Sequence, residues 1–175
     1  MSSSSWETTF KQVHARGVAA WNTGKRTPAT MFDTADTEFL HSIGCSNQEL
    51  FDFVDDYCYA GEPSIDTALA IQAIRKDYLE REMGGIRSQF TATMESLPAK
   101  SFAVDGIPWL PRLIVKARLK LRGEMPTDLM YGCGGDRPFV ARMKTTLQGF
   151  LALVRTHGND DRKIIDATKQ IAGIR

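Results

Sequence analysis

Apolar residues recur at the spacing of an α-helix through most of the chain. The first run, with Trp6, Phe10 and Val13 along one face, predicts a helix from about residue 6 to residue 22. No stretch alternates between apolar and polar residues for long enough to predict a strand. The pattern therefore predicts an all-α fold. Later helices are predicted to begin at about residues 36, 46, 63, 109, 137, 146 and 160.

Start and stop signals support these helices. Ser46 and Glu49 have the spacing of a capping box, in which a serine side chain and a glutamate side chain each bind a backbone N–H at the helix start. Gly61 and Gly123 follow apolar runs and are predicted to end helices, because glycine readily adopts the left-handed backbone of a helix C-terminus. The helix over residues 109–122 carries Leu110 within its predicted buried stripe. The other predicted members of that stripe are Leu113, Ile114, Ala117 and Leu121.

The helical pattern loosens between residues 84 and 106. This stretch contains Leu97-Pro98 and Asp105-Gly106, which favour turns, and at most one short helix is predicted, near residues 86–95. We interpret it as a connector. The predicted organisation is a first helical repeat over residues 1–83, the connector over 84–106 and a second helical repeat over 107–175, all within one globular domain.

The two halves resemble each other when the second is shifted over the first by one hundred positions without gaps. The matches fall mainly on predicted caps and core positions, which indicates an internal duplication. Two copies of one unit would bury their apolar faces against each other, so the prediction is two tandem helical repeats packed around a pseudo-twofold axis in one compact domain. The identical pairs are Thr27/Thr127, Asp36/Asp136, Phe39/Phe139, Gln48/Gln148, Val54/Val154, Ile65/Ile165, Asp66/Asp166, Ile71/Ile171, Ile74/Ile174 and Arg75/Arg175.

Composition narrows the class of protein. The chain has 175 residues, of which 42% are hydrophobic, and its 22 basic and 21 acidic residues nearly balance, which excludes a disordered polyelectrolyte and disfavours a nucleic-acid partner. No apolar run is long enough to span a bilayer, and the first five residues lack the segments of a signal peptide. Three widely spaced cysteines indicate free thiols in a reducing compartment. A cytoplasmic location without a membrane partner is predicted.

The richest polar chemistry lies in residues 131–137, with the sequence Tyr-Gly-Cys-Gly-Gly-Asp-Arg, here called the 131–137 loop. Its glycines predict positive φ angles or a close approach of the backbone to another group. The first half has Met-Phe-Asp-Thr-Ala-Asp at the equivalent positions 31–36, so only Asp36 and Asp136 are shared. We interpret those two aspartates as N-caps of helices. The remaining loop residues are specific to the second half and mark the candidate site.

Three residues of this loop are candidate catalytic groups. Cys133 precedes a predicted helix start and Arg137, a setting that favours a reactive thiolate, and it would act as nucleophile or proton donor. Tyr131 would orient a substrate with its hydroxyl. Asp136 is the third candidate, although its negative charge disfavours a thiolate at Cys133. The alternative is that Cys133 is a small residue packed in a tight loop.

Anion binding is the second chemistry that this region favours. Arg137 and Lys116 are candidate anion ligands, and backbone N–H groups near Gly134 and Gly135 would add donors. Trp109 and Arg112 complete the predicted substrate-binding set. The alternatives are a buried core position for Trp109 and a solvated face for the basic residues of the helix. That basic set is Arg112, Lys116, Arg118, Lys120 and Arg122.

No metal or cofactor is predicted. Glu49, Asp52, Asp55 and Asp56 cluster on one helix, but no histidine lies at ligand spacing from them, and we interpret them as a solvated face. The three histidines are isolated in sequence.

The segment from residue 107 to residue 123 resembles a bacterial family catalogued as a domain of unknown function, number five-zero-six-nine. The resemblance is carried by Trp109, Arg112, Lys116, Arg118 and Gly123, together with Ala117, and extends over most of the second half. It implies no particular activity. It does imply that Lys116 and Arg118 are more than solvated charges.

The sequence thus favours a cytoplasmic small-molecule enzyme or binding protein. An anionic or carbonyl-bearing ligand is predicted between the 131–137 loop and the basic helix 109–122. Whether a reaction is catalysed stays open. The alternative is a non-enzymatic interaction module with a protein or nucleic-acid partner, in the form of a homodimer.

Overall fold

Helices make up most of the computed structural model, which describes the backbone of residues 3–174 and the side chains of residues 6–174. Within these residues one antiparallel hairpin accompanies nine α-helices, so the predicted all-α class is confirmed with one small exception. None of the helices in this described range is both long and apolar enough to cross a bilayer. The helices are α1 Ser3–Asn22, α2 Pro28–Met31, α3 Thr34–Ser42, α4 Asn47–Ala60, α5 Ile65–Arg81, α6 Leu110–Arg122, α7 Asp136–Arg142, α8 Leu147–His157 and α9 Asp161–Ala172, and the strands are β1 Ala103–Val104 and β2 Ile107–Pro108.

The chain divides into two compact units, residues 1–76 and 77–175. This division falls inside helix α5, whose last residues belong to the second unit. The repeat boundaries predicted from the sequence, at residues 83 and 106, are based on glycines that interrupt the helical pattern. They stay a prediction.

The first unit is built on the packing of α1 against α4, with α2 against both. Phe10 and Val13 of α1 and Leu50 and Val54 of α4 are fully buried. Gly17 allows the two helices to approach, because a Cβ atom there would lie 3.0 Å from Cγ2 of Val54. The apolar spacing read from the sequence therefore marks the true core face of both helices.

The predicted helix ends are confirmed where a local signal defines them. The Ser46 hydroxyl accepts a hydrogen bond from Glu49 N, and the Glu49 carboxylate accepts one from Ser46 N, forming the predicted capping box. Gly61 and Gly123 end α4 and α6 in the left-handed conformation, with φ angles of 79° and 69°. These ends depend on neighbours in sequence, which is why the sequence alone defines them.

The predicted caps at Asp36 and Asp136 are wrong. The N-cap of α3 is Asp33, whose side chain accepts a hydrogen bond from Asp36 N, and the N-cap of α7 is Gly135. Asp36 and Asp136 lie in the first turn of these helices, and both are buried. Each turns its carboxylate toward a cation on a preceding helix instead of toward its own helix terminus.

In the second unit, α6 packs on α8 and α9. Leu110, Leu113 and Ala117 of α6 are fully buried, as are Phe150 of α8 and Ile164 of α9. The predicted apolar stripe of α6 is thus confirmed.

The solvated face proposed for the basic residues of α6 is wrong for three of them. Arg112, Lys116 and Lys120 are 8%, 1% and 1% exposed. The Arg112 side chain ends on the carbonyl oxygen of Pro98, and the Lys116 side chain ends on Cys133 and Asp136. Spacing along one helix cannot reveal such contacts, in which long side chains reach past the apolar stripe.

The connector contains no α-helix over residues 86–95, where the sequence predicts at most one short helix. A single 3-10 turn, Met94–Ser96, interrupts an irregular path there. Ala92 and Leu97 lie against Leu119 and Leu129 in a small satellite core. This anchoring explains how a chain with few backbone hydrogen bonds keeps a defined course over α6.

The hairpin of β1 and β2 turns at Asp105 and Gly106, whose φ angles are both positive, 50° and 75°. An Asp-Gly pair is a frequent two-residue hairpin turn, because both positions need left-handed backbone. Asp105 also accepts hydrogen bonds from Arg162 and Lys169 of α9, and these donors lower the pKa of its carboxyl to about 2. The hairpin is therefore fixed to α9 through the side chain at its own turn.

His14 is an unusual polar residue in the first unit. It is 4% exposed, its ring meets the edge of Tyr57 at 5.7 Å between centroids, and its Nε2 has no hydrogen-bond partner among the described residues. Burial lowers the pKa of its imidazole, because a charged ring would lose its hydration there. The folded state therefore favours the neutral form of His14.

We predict that the free energy of unfolding falls as the pH drops through the ordinary histidine range, around pH ~6.5. Because the pKa of His14 is lower in the folded chain, the unfolded chain binds a proton there more readily, so acid favours the unfolded state. Urea unfolding at several pH values measures the slope. A His14→Leu variant should show a smaller slope, and an unchanged slope would contradict the assignment.

Candidate functional site

The 131–137 loop is folded around the carboxylate of Asp136, which is completely buried. Its Oδ2 accepts hydrogen bonds from Lys116 Nζ at 2.5 Å and from Gly132 N at 2.9 Å. Its Oδ1 accepts one from Trp109 Nε1 at 3.0 Å. One side chain thus accepts three hydrogen bonds: from Lys116 in α6, from Trp109 just before α6, and from Gly132 in the loop. These bonds fix the loop relative to α6.

Lys116 supplies the positive charge that makes this burial tolerable. A lone buried carboxylate would lose several kcal/mol of hydration, and an ion pair offsets this loss when further hydrogen bonds complete it. The Lys116 side chain is only 2% exposed, and its Nζ also lies 3.3 Å from Cys133 Sγ. Lys116 is therefore committed to internal contacts with the loop.

Trp109 connects the loop to the start of α6 in an uncommon conformation. Its φ angle is 74°, a left-handed value that side-chain-bearing residues rarely adopt. The indole ring lies on the backbone of Gly135, where a Cβ atom would be 2.5 Å from Cζ2 of the ring. The hydrogen bond to Asp136 and this packing together hold the strained residue in place.

The three loop glycines have different roles. Gly132 has a φ angle of 93° and needs the freedom that the sequence predicts for it. Gly135 fits the second prediction, because its backbone closely approaches another group, the ring of Trp109. Gly134 has neither constraint, since only Arg137 Nη2, at 3.8 Å, would lie near an added Cβ.

Tyr131 is turned into the protein. It is 2% exposed, and its hydroxyl donates a hydrogen bond of 2.8 Å to the carbonyl oxygen of Leu147. Burial, with a smaller effect of the Asp136 charge, raises the pKa of this phenol well above its usual value. Its hydroxyl therefore stays protonated and joins the loop to the start of α8.

Cys133 and Arg137 are both half-buried. The carbonyl oxygen of Cys133 accepts hydrogen bonds from Asp136 N and Arg137 N, which form the turn into α7. Arg137 donates from Nη1 to the carbonyl oxygen of Gly132 at 2.8 Å. Its guanidinium thus closes the loop on itself.

Arg112, predicted to bind a substrate, contacts the connector in this structure. Its Nη1 donates a hydrogen bond of 2.8 Å to the carbonyl oxygen of Pro98. The structure brings Tyr131, Cys133, Asp136, Lys116 and Trp109 together. Arg112 makes its contact with the connector instead of the loop.

A cleft of about 260 Å³ opens beside Trp109 and Gly135. Its rim carries two cations that sequence reasoning missed. Lys100 Nζ lies 6.0 Å from the centroid of the Trp109 ring, and Arg142 Cζ lies 5.3 Å from that of Phe139. Neither cation has a carboxylate partner within the described residues. The remaining lining residues are Pro108 and Pro138.

Only part of this cleft had a signal in the sequence. Trp109 and Gly135 stood out for their residue types. Lys100 lies in the connector and Arg142 in the last turn of α7, and nothing along the chain associates them with each other. Among the described residues, no group of three or more histidine, cysteine or acidic side chains is arranged to hold a metal ion.

Comparison of the chain with protein-family models, curated proteins and solved structures found no match.

The Gly135 contact gives a direct test of the site geometry. We predict that Gly135→Ala lowers the free energy of unfolding by about 1–3 kcal/mol, because the new methyl group overlaps the Trp109 ring. Intrinsic fluorescence should change as the indole is displaced, and urea unfolding measures the loss of stability.

Gly134→Ala is the matched control. It adds the same methyl group one residue earlier, on ordinary backbone, where the methyl group meets only Arg137 Nη2 at van der Waals distance. Its stability should stay within about 0.5 kcal/mol of the original. Equal effects at the two positions would contradict the packing of Trp109 on Gly135.

Proposed function

We propose that this protein binds a small anionic molecule with a flat, apolar body in the cleft beside the 131–137 loop. The observation that carries the proposal is the pair of unpaired cations, Lys100 and Arg142, each beside an aromatic ring at the rim of the cleft. In this proposal the loop holds one wall of the cleft in place.

The charge of the ligand follows from the lining. Two cations and no acidic side chain line the cleft, so an anion would gain from both while a cation would be repelled. Trp109, Phe139 and the two prolines offer flat apolar surface, on which a ring can stack. An aromatic carboxylate or aryl phosphate combines both features.

The size of the cleft limits the ligand. Pockets for drug-sized molecules usually occupy roughly 300–1,000 Å³. A cleft of about 260 Å³ fits a body of one or two rings and leaves no room for a dinucleotide. Because its two cations are exposed to water, we expect modest affinity.

Binding is better supported than catalysis. The Tyr131 hydroxyl, the Asp136 carboxylate and the Lys116 ammonium all have partners inside the protein. The catalytic roles predicted for Tyr131 and Asp136 and the anion-binding role predicted for Lys116 stay predictions. An enzymatic function would depend most on half-buried Cys133, the predicted nucleophile, and Arg137, a predicted anion ligand.

The second candidate function is an interaction module, in line with the alternative drawn from the sequence. It is favoured by three large apolar side chains of the connector region: Ile86, Phe90 and Phe102 are 76%, 60% and 59% exposed. Dimerisation in solution that is lost when these residues become polar would favour this function over ligand binding.

The family resemblance has a structural explanation in this proposal. Trp109 and Lys116 bind Asp136, Arg112 binds the connector, and Gly123 ends α6. These residues make internal contacts in this chain and point to no activity, and membership of the family stays a proposal.

We also infer that the two predicted helical repeats, residues 1–83 and 107–175, are copies of one helical unit. Arg16 pairs with Asp36 in the first unit, and Lys116 pairs with Asp136 one hundred positions later. Ser46 and Thr146, equally spaced, cap α4 and α8 through their side chains. A crystal structure in which these pairs did not superpose would contradict the duplication. The pseudo-twofold arrangement of the copies stays a prediction.

Ligand binding can be tested with naphthoate and its neutral amide, naphthamide. We predict that naphthoate shifts the Trp109 indole N–H resonance in NMR spectra. Naphthamide, which lacks the charge, and acetate, which lacks the ring, should shift it much less. The double variant Lys100→Gln/Arg142→Gln should bind naphthoate about tenfold more weakly, at about 0.7 kcal/mol for each exposed cation.

Lys144→Gln is the matched control, because Lys144 is an exposed cation near Arg142 that does not line the cleft. It should leave naphthoate binding unchanged. Equal binding of naphthoate and naphthamide, or no response to naphthoate at millimolar concentration, would remove the proposal.

A further inference from the structure

Two nucleophilic side chains meet behind the surface of the 131–137 loop. Lys116 Nζ donates a hydrogen bond of 3.3 Å to Cys133 Sγ. The lysine is almost fully buried, whereas the cysteine is half-buried and is followed by exposed Gly134. Cys133 is thus the more exposed residue of the pair, and the amine beside its sulfur is enclosed by the protein.

We propose that Cys133 and Lys116 form a modification site at which hydrogen peroxide joins the two side chains through a sulfur–nitrogen bond. The product is a sulfenamide that links the loop to α6. The proposal depends on this pair alone and is independent of the ligand proposed for the cleft.

The first step oxidises the sulfur. The Cys133 thiol attacks one oxygen of hydrogen peroxide, the O–O bond breaks, and a sulfenic acid and one water molecule result. Sulfur loses two electrons, and peroxide gains them. The product places a good electrophile within reach of Lys116.

The second step joins the residues without further oxidation. Lys116 transfers one ammonium proton to Asp136, whose Oδ2 lies 2.5 Å from Nζ, and becomes a neutral amine. Its nitrogen attacks the sulfur of the sulfenic acid, the S–O bond breaks, and hydroxide leaves with a proton from the amine as water. A thiol reductant reverses the linkage by attacking the sulfur, which returns the amine.

The other two cysteines lack this arrangement. Cys45 is fully buried, so peroxide does not reach it readily. Cys58 is half-buried, but its Sγ receives no hydrogen bond from a lysine within the described residues, and burial together with the charge of Asp55 raises the pKa of its thiol. Both features favour reaction at Cys133.

The test uses the full chain with Cys45→Ala and Cys58→Ala, which leaves Cys133 as the single thiol. After treatment with hydrogen peroxide, intact-mass spectrometry should show monomer that has lost two hydrogen atoms. A tryptic digest should contain a peptide that joins Cys133 to Lys116, with no cleavage after the linked lysine. Dithiothreitol should restore the original mass.

Lys116→Arg in the same background is the matched control. Arginine keeps a cation beside Asp136, as Arg16 does beside Asp36, but offers no amine for this reaction. The linked product should be lost, and the sulfenic acid should become available to a dimedone probe.

The experiment on the protein with Lys116 intact decides the proposal even if the arginine variant folds poorly. Products that carry only added oxygen at Cys133, with no linked peptide, would overturn it.

Discussion

The second unit depends on one buried carboxylate. Asp136 is inaccessible to water, and its two oxygens receive three hydrogen bonds, from Lys116, Trp109 and Gly132. Burial of an ionised carboxylate and an ammonium carries a large loss of hydration, which is offset only when the geometry is complete. The left-handed Trp109 and the missing side chain at Gly135 are consequences of this requirement, because both bring the indole N–H to the carboxylate.

A related pair in the first unit shows how much the burial of the cation matters. Asp36 is 4% exposed and pairs with Arg16, whose side chain is 52% exposed. The Arg16 charge keeps much of its hydration. The Lys116 side chain is only 2% exposed, so its charge has lost almost all of its hydration. The first unit therefore holds its aspartate with a solvated cation, and the second unit has an enclosed pair beside a glycine-rich loop. The enclosed pair also places an amine next to Cys133 and an indole wall beside the cleft.

Sequence reasoning recovered the features that short-range patterns determine. The capping box at Ser46, the glycine stop at Gly123 and the apolar stripe of α6 depend on residues within one or two turns of each other. The 131–137 loop was found because of its composition. The hairpin was missed although Asp105-Gly106 is a strong turn signal, because its strands are only two residues long. The burial of Lys116 and the meeting of Lys100 with Trp109 depend on how the connector and loop cover α6, and no spacing along the chain reports that.

The central claim is that the enclosed Lys116–Asp136 pair holds the site together, and comparison of Asp136→Asn with Asp36→Asn tests it most directly. Urea unfolding should show that Asp136→Asn loses about 3–5 kcal/mol, because Lys116 keeps a buried charge without a partner. Asp36→Asn should lose clearly less, because solvent already hydrates half-exposed Arg16. Equal losses, or an Asp136→Asn variant as stable as the original with unchanged Trp109 fluorescence, would contradict the account.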